Sequence, residues 1–64
     1  MDIEDLRAHC LEVIVEMGEQ FKLLRDYAVT PGNSWLARNE LSQVSTLMSD
    51  LEACLDAIKR AEAA

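Results

Sequence analysis

Residues that break helices are nearly missing from this chain: its 64 residues include one proline and two glycines. With so few breakers, long helices are the expectation. Aromatic residues are as scarce, one Trp, one Tyr and one Phe, so a large aromatic core is excluded. Two cysteines and one histidine are too few for a disulfide framework, and neither Cys-x-x-Cys nor a His/Cys zinc spacing occurs. No apolar run approaches the roughly 18 residues of a membrane span. Met1 is followed by Asp2, Glu4 and Asp5 rather than by the basic and apolar regions of a signal peptide, so a cytoplasmic, reducing setting is expected. Bases are outnumbered, six against twelve acids, for a net charge of −6. Direct nucleic-acid binding needs a concentrated basic patch and is not expected, although Lys22, Arg25 and Arg38 gather toward the middle of the chain.

Half of the residues are apolar, and the breakers stand together in Val29-Thr30-Pro31-Gly32-Asn33-Ser34. Pro31 disfavours helical geometry at Thr30, Gly32 accepts positive φ, and Asn33 or Ser34 can cap a following helix. The expected organisation is one all-α domain spanning residues 1–64, an antiparallel hairpin with a helix over about 2–28, a loop over about 29–34 and a helix over about 35–61. In the first segment Ile3, Leu6, Cys10, Val13, Met17, Gln20, Leu24 and Tyr27 alternate at spacings of three and four, a heptad seam. Asp2 is its expected N-cap, with Met1 and Leu6 placed as a hydrophobic staple. In the second segment Ala37, Leu41, Val44, Met48, Leu51, Leu55 and Ile58 form the expected seam, which Leu47, Cys54 and Ala61 widen by one column.

A chain of this size buries only about 60% of the surface that it exposes when unfolded, so help from outside the chain is expected. Besides its seam, helix 1 carries Leu11, Ile14, Val15, Gly18, Phe21 and Leu23. These six are the expected protein interface. They make helix 1 the more enclosed of the two and call for completion to a four-helix bundle, by a second copy of the chain or by another helical protein. Gly18 either admits a close backbone approach or is a small residue on a solvent face. Trp35 is expected to plug the end of the bundle; left exposed, it becomes a partner hot spot.

Candidate chemistry is thin. Cys10 and Cys54 come level across the hairpin and read as reduced, buried thiols, because helix axes 8–10 Å apart are wide for a disulfide. His9 has Asp5 and Glu12 on neighbouring faces, but these acids lie on polar columns and helix 2 offers no Glu-x-x-His, so no metal is expected. No Ser or Cys has a base and an orienting group, and no phosphate-binding Gly loop occurs. Neither an enzyme nor a cofactor or small-molecule substrate is expected. Asp5, Glu12, Glu19 and Asp26 recur every seven residues as an acidic column, read as a solvated face or as a dock for a basic partner.

In layout the chain resembles two kinds of small hairpin. One is the plasmid copy-number regulator whose hairpin dimerises into a four-helix bundle and binds paired RNA loops. The other is the helical co-chaperone of type III secretion needle subunits, which keeps the needle protein soluble. The residues themselves favour a homodimeric regulator or adaptor working through helix contact; the resemblances imply a co-chaperone or an RNA-binding dimer as alternatives.

Overall fold

A computed structural model describes residues 2–64; the staple expected between Met1 and Leu6 involves a residue outside that range. The chain forms two helices, α1 (Ile3–Val29) and α2 (Ser34–Ala63), packed against each other as an antiparallel hairpin. Asp2 is extended at the start of α1, and its carbonyl accepts the first helical bond from the Leu6 N–H at 3.0 Å. Its side chain makes no capping bond, nor does that of Asn33 at the start of α2. Acidic Glu4 and Asp5 in the first turn still favour the positive end of the α1 dipole.

The reversal is shorter than the sequence pattern implies. Thr30 is extended, as a residue before proline must be, and Gly32 has φ +87°. The Asn33 N–H donates to the Thr30 carbonyl at 3.2 Å, closing a turn with Pro31 and Gly32 at its centre. Proline second and a positive-φ glycine third are the requirements of a type II turn. The Thr30 hydroxyl donates to the Asp26 carbonyl at 2.7 Å and so satisfies one of the last carbonyls of α1. With no breaker after residue 61, α2 continues to Ala63.

The hairpin measures 50 × 14 × 13 Å, with a radius of gyration of 14.8 Å against roughly 11 Å for a compact chain of this length. Its core is thin. The buried apolar residues are Cys10, Val13, Val44 and Cys54, joined by one buried carboxylate, Glu40. The half-buried residues of α1 are Ile3, Leu6, Met17, Gln20, Leu24 and Tyr27, so every member of its expected seam faces α2. In α2 the inward residues are Leu36, Ala37, Glu40, Val44, Leu47, Leu51, Cys54, Ala57 and Ile58. The seam of α2 is therefore displaced from the expected one: Leu41, Met48 and Leu55 are 51%, 47% and 50% exposed, and Glu40, Leu47 and Cys54 take their place. Within the hairpin the two helices cover one another about equally, with two of the five buried residues in α1 and three in α2.

Candidate interaction surface

Helix geometry sorts the exposed apolar residues. At about 100° per residue, Ile14 and Phe21 share a column beside the α1 seam, Leu11 and Gly18 share the next, and Val15 stands in the one after that. These five form one continuous stripe. Leu11 is 63% exposed and Val15 62%, while Ile14 and Phe21 are each about half exposed. The acidic column of Asp5, Glu12, Glu19 and Asp26, exposed throughout, borders the stripe. Leu23 lies beyond that column, on the opposite flank of α1, and is 40% exposed. The six residues singled out from sequence thus divide into a group of five and one outlier.

The displaced column of α2 joins the same side of the molecule. In an antiparallel pair, the columns that follow the two seams in the direction of the chain flank one another. An ion pair marks this adjacency: Arg7, in the column of Ile14 and Phe21, reaches Glu62, in the column of Leu41, Met48 and Leu55, at 3.5 Å. Arg7 also pairs with Glu4 at 3.0 Å. One broad side of the hairpin therefore presents Leu11, Ile14, Val15, Gly18 and Phe21 from α1 with Leu41, Met48 and Leu55 from α2. The opposite side is polar where the helices meet, with a shallow depression lined by Glu16, Ser42, Gln43, Thr46 and Leu47. Gly18 has open space around it within the hairpin: a Cβ there meets nothing within 4 Å.

Expectations at the turn fare differently. Trp35 is 63% exposed and does not plug the end of the hairpin; as the second residue of α2 it points away from the seam. Tyr27 is half-buried. Lys22, Arg25 and Arg38 are exposed, and Arg25 lies 3.7 Å from Asp26.

Two features inside the seam carry chemistry. Glu40 is 8% exposed, and its Oε1 has no hydrogen-bond partner among the described residues. Cys10 and Cys54 are both free and both buried. The Cys54 Sγ–H donates to the Leu6 carbonyl at 3.5 Å. Burial, and then the neighbouring Cys10 thiol, push the Cys54 thiol above its ordinary pKa. Among the described residues no cluster of three or more His, Cys, Asp and Glu could hold a metal ion, and His9 is exposed. Among them too, no helix is long and apolar enough to cross a membrane.

The residues that sequence reasoning missed are Leu41, Met48 and Leu55, which it assigned to the core. The signal was the width of the α2 apolar band, one column more than a single neighbouring helix can cover. Compared with known proteins, the chain matches no family model, no curated protein and no solved structure.

Proposed function

We propose that this chain is a non-enzymatic association module, a small regulator or adaptor whose hairpin pairs with a second copy of itself to complete a four-helix bundle. The observation that carries this reading is the apolar side shared by α1 and α2. It stands beside a core in which, among the described residues, no large side chain is fully buried. The surface area points the same way. A compact protein of 7.2 kDa exposes roughly 4,100 Å², whereas this hairpin exposes 4796 Å². The exposed parts of Leu11, Ile14, Val15, Phe21, Leu41, Met48 and Leu55 amount to roughly 700 Å², close to the ~800 Å² that each partner contributes to a standard interface. A second hairpin laid across this side would cover them, with Arg7, Glu62 and the acidic column left at the rim.

Sedimentation of the pure protein tests the proposal. A folded dimer at micromolar concentration is expected, and replacing Leu11 and Val15 with Glu should convert it to a monomer. A wild-type protein that stays monomeric and melts easily would instead favour a different helical protein on the same side, the arrangement implied by the likeness to needle-subunit co-chaperones. A dimer that binds RNA with salt-sensitive affinity, weakened by changing Lys22, Arg25 and Arg38 to Ala, would favour the RNA-binding alternative.

A further inference from the structure

We propose that Cys10 and Cys54 are the two halves of a reversible cross-link that closes the hairpin, with a low-molecular-weight disulfide such as oxidised glutathione as the co-reactant. Both thiols are buried in the seam, on facing sides of the two helices. The Cys54 sulfur lies 3.5 Å from the Leu6 carbonyl oxygen. In an α-helix that oxygen also accepts the backbone N–H of the residue four positions on, which here is Cys10. Cys54 is thus packed against the backbone turn that carries Cys10. The sequence argument against a bridge rested on ordinary helix separation. Contact between a side chain of one helix and the main chain of the other is the close approach that argument lacked. The Cys10 thiol is itself a neighbour of the Cys54 thiol, close enough to act on it.

The chemistry balances in two exchanges. One protein thiol, as thiolate, attacks a sulfur of oxidised glutathione; the glutathione S–S bond breaks, a mixed disulfide forms, and the departing glutathione thiolate takes up the proton that the protein lost. The second protein thiol then attacks the protein sulfur of that mixed disulfide and releases another reduced glutathione. The protein is oxidised by two electrons and one glutathione disulfide is reduced. Burial holds the Cys54 thiol above its ordinary pKa and so slows attack by that sulfur. Once the first attack has occurred, the second thiol is already in place, and the bond ties the first third of α1 to the last third of α2, where the hairpin is otherwise open-ended. Oxidation then holds the helices together whether or not a partner is present.

The test is equilibration of the full-length chain in glutathione redox buffers, in native buffer and in concentrated urea, with acid quenching and intact-mass measurement. The expected native product is a chain lighter by two hydrogen atoms, with no covalent dimer. Its formation constant should exceed that in urea by at least tenfold, a shift of about 30 mV in midpoint potential. Cys10→Ala and Cys54→Ala should each carry a single glutathione instead. The proposal fails if the native chain accumulates glutathione adducts or intermolecular disulfides, or if the formation constant in urea equals or exceeds the native one. The wild-type comparison decides the matter even if either variant folds poorly.

Discussion

Truncating Leu55 to Ala separates a face built from both helices from one confined to α1. Leu55 is 50% exposed on the hairpin. Complete burial of a leucine side chain is worth about 1.5–3 kcal/mol, so covering the remaining half contributes about 1 kcal/mol per copy. A two-fold assembly counts the contact twice, and a loss of about 2 kcal/mol weakens the dimer Kd roughly 30-fold. Sedimentation equilibrium across a concentration series reads the change directly, and urea titration of each variant separates lost association from lost folding. Leu23→Ala is the control, since Leu23 is 40% exposed but lies on the other flank of α1. It should leave the Kd within about twofold, inside the usual range for a surface substitution. Equal weakening by both substitutions would place the interface elsewhere. An unchanged Kd for Leu55→Ala, with weakening by Leu11→Ala, would restrict the face to α1 and refute the two-helix argument.

Three further outcomes follow from the same structure. Each copy carries a net charge of −6, so raising the salt concentration should tighten self-association by screening repulsion, and would weaken binding to a basic partner; the slope of Kd against ionic strength in sedimentation tells the two apart. Glu40→Leu should raise the melting midpoint by at least about 4 °C at fixed protein concentration, because it removes a buried acceptor without a partner, a group that costs about 1–3 kcal/mol; an unchanged or lower midpoint by circular dichroism contradicts this. Stability should fall as pH rises above about 8.5, where an unfolded cysteine ionises while folded Cys54 keeps its proton. The folded state then binds more protons than the unfolded one, so the slope is negative, and urea titrations of Cys54→Ala should show a shallower alkaline decline than wild type.

The α1 seam was legible to the last residue, Gln20 included, because Glu12, Glu16 and Glu19 interrupt the apolar pattern of α1 and fix which side must face water. The reversal was legible as well, since Pro31 and Gly32 stand where only a turn accommodates both. The rotation of α2 was not. Its apolar residues span both the column of Leu47 and Cys54 and the column of Leu41, Met48 and Leu55, and periodicity ranks these by hydrophobicity alone, which favours the second. What periodicity does not contain is the depth of approach. Cys54 is small enough to reach the α1 backbone at Leu6, a contact that a leucine at that position could not make. Side-chain capping at Asp2 and Asn33 failed for a related reason: residue type marks the position of a helix end, but not whether the side chain turns back onto it.

The rotation of α2 also bears on why one broad side is left apolar. Turning α2 by about 50°, half of one residue's rotation, would keep Val44, Leu51 and Ile58 in the seam and exchange Glu40, Leu47 and Cys54 for Leu41, Met48 and Leu55. For an isolated hairpin that exchange is favourable: a carboxylate lacking a partner for Oε1 returns to water, and two larger apolar side chains replace it and a thiol. The observed rotation gives up that gain and sets three half-exposed apolar residues beside Ile14 and Phe21. Covered by a second copy at about 1 kcal/mol each, those three contribute about 3 kcal/mol per protomer, enough to offset the ~1–3 kcal/mol that the orphaned oxygen costs in each. Such a seam suits a hairpin that has another surface to meet, and it supports placing the missing part of the core across both helices rather than on α1 alone.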